Sequence, residues 1–293
     1  MDDQLHLSDS DVIEVENEDG TRKICDDVAY LKLSIVNAVF LGRPVPDSSW
    51  LLIDTGLPSS QDRILAAAAR RFGATSRPAA IIMTHGHIDH AGSVERLAAF
   101  WDVPVYAHPL EHPYLDGRAS YPPADPWVGG GSFALMSPLL PRGPSNLGSL
   151  LQSLPANATV PFASEWSWLH TPGHTPGHIS LWRESDRTLV AGDAVITTGQ
   201  ESVYDVVTQA PRLHGPPRYL TIDWQASEQS AKQIASLKPE RLISGHGPAL
   251  GGAGLRAALD TLATNFWDIA VPPDGRYVGH PARATDGTAY CRP

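Results

Sequence analysis

Five short apolar runs in this chain each end on histidine, aspartate or glycine: "LLIDTG", "IIMTHGHIDH", "WLHTPGH", "LVAGD" and "LISGHG". That punctuation constrains the fold more than any other feature. Each run reads as a buried strand that delivers polar side chains to the loop after it. A rigid sheet with loops at its strand ends is where binding sites are built. Helical patterns fall between the runs. "DRILAAAARRF" has helix-forming composition, and Val94, Leu97, Ala98 and Trp101 recur at i, i+3, i+4 and i+7, which predicts an amphipathic helix. "VPVYAH" is strand-like, "WSWLHTPGH" and "HISLWRE" read as paired strands around a turn, and "SEQSAKQIASL" and "GLRAALDTLATNFW" are helical. Both halves of the chain follow this theme, which suggests two related layers facing each other.

At 293 residues, with 42% hydrophobic and 18% charged side chains, the chain is long enough for a sizeable core. We read residues 1–293 as a single domain, with a core of about 28–268, an insertion or lid over 121–148, and a C-terminal extension over 269–293. No apolar stretch approaches the roughly 20 residues of a membrane span. The acidic start lacks a basic-then-apolar leader, and the two cysteines, Cys25 and Cys291, read as free thiols, so the expected compartment is the cytoplasm. A formal net charge of −10 weighs against nucleic acid as a partner, leaving a small-molecule substrate as the expectation. A homodimer is left open. The segment from Tyr121 to Gly148 is dense in proline and glycine and too long for a simple connection. Its Tyr121, Trp127, Phe133, Leu135, Met136, Leu139 and Leu140 argue against disorder and for a lid or pocket wall with one short helix.

The second apolar run carries the chemistry. His85, His87, Asp89 and His90 fall within six positions. Imidazole nitrogen and carboxylate oxygen suit zinc and related ions. In a chain leaving a strand, residues two apart can point to one side, so His85 and His87 can share an ion. Asp89 and His90, at the onset of the next helix, face a different direction. Four ligands with two directions suggest two divalent ions. His174 in "TPGHTPGH", Asp193 at the end of "LVAGD" and His246 in "SGHG" complete a set of five histidines and two aspartates, and the Asp193 carboxylate could bridge both ions. Zinc is the first expectation, with manganese, iron and cobalt also suited to this ligand mix.

"THGHIDHAG", "TPGHTPGH", "GD" and "SGHG", in this order, resemble the metallo-β-lactamase superfamily over roughly Leu51 to Gly247. The resemblance implies an α/β fold, an αββα four-layer sandwich of two facing mixed β-sheets flanked by helices. It implies one ion on His85, His87 and His174, a second on Asp89, His90 and His246, and Asp193 between them. It also implies supporting roles outside the ligand set: Asp54 in "IDTG" bracing the metal-loop backbone, and His178 hydrogen-bonding near the site. The activity implied is hydrolysis by a hydroxide shared between two cations, with Asp89 as the catalytic proton carrier.

Departures from subfamily patterns narrow the substrate. Zinc β-lactamases of this fold carry Cys or Ser where Asp193 stands, and flavodiiron proteins carry Glu where His87 stands. Lactonases of one type carry a Tyr where Ile196 stands. The tail after Val271 does not resemble the glutathione-gripping region of glyoxalase-type thioesterases. The favoured substrate is a small carboxylic ester, lactone or thioester. A phosphodiesterase or ribonuclease is the alternative, with Arg118, Arg212 and Arg218 as candidate phosphate contacts. A non-catalytic ligand-binding sensor is a third reading, against which the complete ligand set weighs. The remaining histidines, His6, His108, His112, His170, His214 and His280, match no ligand position, although His108 follows a strand and could line the pocket.

Overall fold

The structure is a computed structural model that describes residues 5–46, 48–128, 132–143, 145–199 and 210–293. Residues 129–131 and 144 of the expected 121–148 lid lie outside the described residues. Among the described residues the strands are β1 (Leu5–His6), β2 (Val15–Glu16), β3 (Arg22–Cys25), β4 (Val28–Leu33), β5 (Val36–Leu41), β6 (Leu51–Ile53), β7 (Ala80–Ile82), β8 (Val105–Ala107), β9 (Leu151–Ser153), β10 (Thr159–Val160), β11 (Ala163–His170), β12 (Ile179–Arg183), β13 (Thr188–Gly192), β14 (Arg212–Leu213), β15 (Arg241–Ser244) and β16 (Leu250–Gly251). One sheet runs β2 to β9 in chain order, and the other runs β10-β11-β12-β13-β15-β16. Both are mixed: β6, β7, β8 and β9 pair in parallel, as do β13 and β15, while the other neighbours are antiparallel.

The two-residue period of a strand sorts its side chains into separate cores. In β6, Leu51 and Ile53 point between the sheets, and Leu52 points to the helices outside. In β13, Val190 faces the first sheet, while Leu189 and Ala191 face the opposite way. The core between the sheets joins Val39, Ile53 and Ile82 of one to Trp166, Leu181 and Ile243 of the other. Helices α1 (Gln61–Phe72) and α3 (Val94–Trp101) cover the outside of the first sheet through Ile64, Phe72, Leu97 and Trp101. Helices Trp224–Leu237 and Gly252–Thr264 cover the second through Ile234, Leu255 and Leu262. The fold is therefore the expected αββα sandwich of two facing mixed sheets. No helix among the described residues is long and apolar enough to cross a membrane.

The hairpin of β4 and β5 precedes the first of the five punctuated runs and carries no strand signal of its own in the sequence. Its strands are buried on both faces, so they lack the polar alternation that marks a half-buried strand. This hairpin straps the two sheets together. At one end, Asp27 accepts hydrogen bonds from Arg183 at the end of β12. That guanidinium also bonds Asp186 and lies over the Trp166 ring, 4.7 Å from its centroid. At the other end, the Asn37 amide donates to the Ser244 and Gly247 carbonyls at 3.0 and 2.8 Å, and the Asn37 N–H donates to Gly245 O at 2.8 Å.

The Lys32–Asn37 end of the hairpin thus holds the loop after β15. Asn37 is buried, so Asn37→Ala strips two carbonyls of their donor where water does not replace it. We expect a loss of about 1–3 kcal/mol in unfolding free energy, read by denaturant titration. An unchanged midpoint would show that the loop is held without the strap.

Candidate metal centre

Every loop that follows one of the five apolar runs meets at one edge of the sandwich. Asp54 follows β6, His85 and His87 follow β7, His174 follows β11, Asp193 follows β13 and His246 follows β15. Asp89 and His90 sit in α2 (Ile88–Ala91), a single turn that opens at His87. The structure brings all seven candidate ligands together. His85, His87 and His174 form one group with nitrogen atoms within 4.8 Å of one another; Asp89, His90 and His246 form a second, and Asp193 joins His85 and His90 in a third. His87 Nδ1 lies 3.0 Å from His174 Nε2. Asp193 Oδ2 lies 3.1 Å from His246 Nε2 and 3.6 Å from His174 Nε2, and Asp193 Oδ1 lies 3.5 Å from His90 Nε2. One carboxylate therefore reaches both histidine groups.

Outer hydrogen bonds fix which atom each ring presents. Asp54 Oδ2 accepts from His90 Nδ1 at 2.8 Å, leaving His90 Nε2 for the centre. His246 Nδ1 donates to Ile35 O. His174 Nδ1 donates to Thr221 Oγ1, whose own proton goes to Pro217 O. Asp54 also accepts from Thr84 N and Thr84 Oγ1 at 2.8 and 2.6 Å, so one carboxylate holds the turn before His85 as well as the His90 ring. His178 is differently employed. Its Nε2 accepts from Asp193 N–H at 2.9 Å, and its Nδ1 leads through Thr171 Oγ1 and Ser180 Oγ to Ala191 O. Both ring nitrogens are thereby used in orienting Asp193. The glycines do steric work here: a Cβ on Gly245 would collide with the Asp193 carboxylate and the His90 ring.

Burial pushes His85 and His174 well below the usual imidazole range, and His87 to about 4, so these rings are neutral donors of lone pairs. Burial also opposes charge on His90 and His246, but Asp193 and Asp89 beside them outweigh it; His246 is raised to about 10. Burial raises Asp89 and Asp193, yet the adjacent His90 and His246 hold both well below the carboxylate range. The pattern is that of a buried anionic pair that requires positive charge. Three buried atoms at the middle of the cluster, His85 Nε2, His90 Nε2 and Asp193 Oδ1, have no hydrogen-bond partner. Orphaned buried acceptors are costly unless something occupies the space between them, so the residues fit a pair of divalent cations.

One further residue lies outside every sequence motif. Glu111 is fully buried and accepts from Gly86 N, Thr175 Oγ1 and Gly177 N, at 3.1, 2.8 and 2.7 Å, and from the Tyr121 hydroxyl. It ties the loop of His85 and His87 to the loop of His174. Its signal in "PLEHPY" is no more than an acid among prolines and histidines. The Tyr121 ring packs against His87 with centroids 4.3 Å apart.

A small cavity opens from His87 and Asp89 and is walled by Ile35, Leu57, Ile88, Leu140 and Leu220, among others. The 121–148 segment supplies part of this wall, and it holds the expected short helix, Ser132–Met136. Its apolar residues divide, however. Tyr121 and Leu140 line the cavity, whereas Trp127, Leu135, Met136 and Leu139 are exposed. His108 does not line it; that ring stacks on His170, with centroids 4.3 Å apart. Nor do Arg118, Arg212 or Arg218. Arg118 pairs with Asp116, and Arg218 donates to the Ile269 and Ala270 carbonyls.

A family model described as the metallo-beta-lactamase superfamily matches residues 31–246. A probable metallo-hydrolase, YflN of Bacillus subtilis (strain 168), is 46% identical over 239 residues, covering 82% of this chain and 90% of the relative. Among solved structures, TTHA1623 in a di-iron-bound form is 26% identical with a TM-score of 0.50, covering 80% of this chain and 95% of that one. Rm3 metallo-beta-lactamase reaches a TM-score of 0.59 at 19% identity, over 86% of this chain and 94% of that one, a likeness of fold alone. The match over most of the chain, on a fold and a cluster of the same kind, makes this chain a member of the metallo-beta-lactamase superfamily and a metal-dependent hydrolase.

Proposed function

We propose that the chain hydrolyses a small carboxylic ester, lactone or thioester with zinc as its metal pair. In this reading His85, His87 and His174 hold one ion, Asp89, His90 and His246 hold the other, and Asp193 spans both. Residues 1–293 act as one domain, with 121–148 as a wall of its pocket. The observation that carries the substrate class is the cavity: its walls are mostly apolar and it leads directly to His87 and Asp89. Divalent cations held by these residues would supply Lewis acidity, making hydroxide available near neutral pH and polarising a bound carbonyl.

The chain's own groups supply the rest. Asp89 lines the cavity, with its Oδ2 3.4 Å from His246 Nε2 and 3.8 Å from His90 Nε2. An ionised carboxylate at the cavity mouth accepts the proton of the attacking water and delivers it to the leaving group. His178 and its threonine–serine relay hold the Asp193 backbone, and with it the carboxylate. Tyr121 is not a proton donor here, because its hydroxyl is committed to Glu111, and burial together with that carboxylate raises it well above the phenol range. It acts as a wall behind His87.

The reading is tested by proton release in weak buffer with zinc-loaded protein, across aryl and alkyl esters, lactones, thioesters, a β-lactam and an activated phosphodiester. Turnover is expected on the carboxylic compounds, abolished by chelator and restored by zinc. Turnover confined to the phosphodiester would overturn it. Asp193→Ala should remove at least one equivalent of metal, measured by elemental analysis, and nearly all activity; full metal content would sink the spanning role. His178→Ala should keep both ions and lower kcat roughly 10- to 100-fold, as loss of an outer hydrogen bond does. Complete metal loss in that variant would make His178 a ligand.

A further inference from the structure

The cavity lining includes polar groups that the hydrolytic centre does not use. Arg142 is the one cationic side chain lining it among the described residues. Its Nη1 donates to Tyr121 O at 2.8 Å, and Tyr121 N–H donates back to Arg142 O at 3.0 Å. Those bonds hold the arginine against the residue whose ring packs on His87. Its remaining N–H groups have no carboxylate partner among the described residues. Ser137 lines the same cavity, is 1% exposed, and its hydroxyl has no hydrogen-bond partner. A buried hydroxyl without a partner is costly, and in a binding cavity it marks a place that a ligand's acceptor would fill.

We propose that Arg142 and Ser137 form a carboxylate subsite, and that the substrate's acyl group ends in that carboxylate. The substrate class is then a half-ester, or half-thioester, of a short dicarboxylic acid. The apolar walls take the methylene chain, His87 and Asp89 face the scissile carbonyl, and Arg142 with Ser137 reads the far anion. A guanidinium matches a planar carboxylate with two parallel donors. A phosphate dianion fits less well, since one cation among apolar walls leaves its second charge uncompensated. The assignment rests on the acyl-hydrolase reading and sharpens it.

Two pairs of probes test it with zinc-loaded protein. Phenyl hemiglutarate and phenyl valerate differ only in the terminal carboxylate, and enzyme-free rates are subtracted. The wild type should prefer the hemiglutarate in kcat/KM by roughly tenfold or more, mainly through KM, as a charge-assisted hydrogen bond allows. Arg142→Gln should collapse that ratio towards one, Arg142→Lys should retain part of it, and Ser137→Ala should reduce it severalfold. A wild type that favours the valerate, or an Arg142→Gln ratio equal to that of the wild type, would overturn the subsite. The uncleaved pair, glutaric monoanilide and valeranilide, is titrated calorimetrically. Arg142→Gln should weaken the monoanilide by roughly tenfold and shift it towards the Kd of valeranilide. If neither phenyl ester is cleaved, the acyl-hydrolase reading is decided by the lactones and thioesters of the wider panel, and the anilide ratio alone decides the subsite: equal Kd values for the two anilides in the wild type reject it.

Discussion

The site depends first on the carboxylate of Asp54. This residue holds a left-handed backbone at φ 59°, a conformation that costs a non-glycine residue roughly 1–2 kcal/mol. Its three hydrogen bonds, to Thr84 N, Thr84 Oγ1 and His90 Nδ1, offset that cost and join two parallel strands' loops to the helix turn after them. The bond to His90 also decides a tautomer, since a carboxylate acceptor keeps the proton on Nδ1 and leaves Nε2 for the centre. Thr55 reinforces the arrangement by donating to His90 O from both its amide and its hydroxyl. Remove the Asp54 anchor and the loops of His85 and His90 lose a common reference.

The same logic repeats outward from the centre. Asp54 joins loops within the first sheet, Glu111 joins the first sheet's loop to the second's, and His178 orients Asp193 within the second. Each is a buried polar group whose acceptors or donors are used, in line with the rule that such groups persist when paired. Four buried polar atoms without a hydrogen-bond partner lie at the site, His85 Nε2, His90 Nε2 and Asp193 Oδ1 at the centre and the Ser137 hydroxyl in the cavity, while others, such as Arg71 Nε and His112 Nε2, lie elsewhere.

Much of this was legible in the sequence, because ligand identity and strand punctuation are local properties. "THGHIDH" gives spacing, "AGD" and "SGHG" give strand ends, and the helix over Val94–Trp101 follows from four apolar positions. The β4–β5 hairpin was harder, since strands buried on both faces lose the alternation that identifies them. Glu111 and Arg142 had no motif at all. Their roles come from contacts between residues far apart in the chain, such as Glu111 with Gly177, 66 positions away. The 121–148 segment is harder still: Tyr121 and Leu140 line the cavity while Trp127 and Leu139 are exposed, and its apolar content does not reveal which side chains turn inward. Irregular backbone has no period from which to read a face.

The Arg183 clasp fastens the sandwich far from its ligands. It lies at the end of β12 opposite His178 and ties that strand to Asp27 across the sandwich. The two sheets are thus riveted along a margin that contains none of the candidate ligands. The ligand-bearing margin is fastened as well, by Asn37 on the loop after β15 and by Glu111 between the loops of His87 and His174. Its ligand positions are thus held from both sides by the protein's own hydrogen bonds.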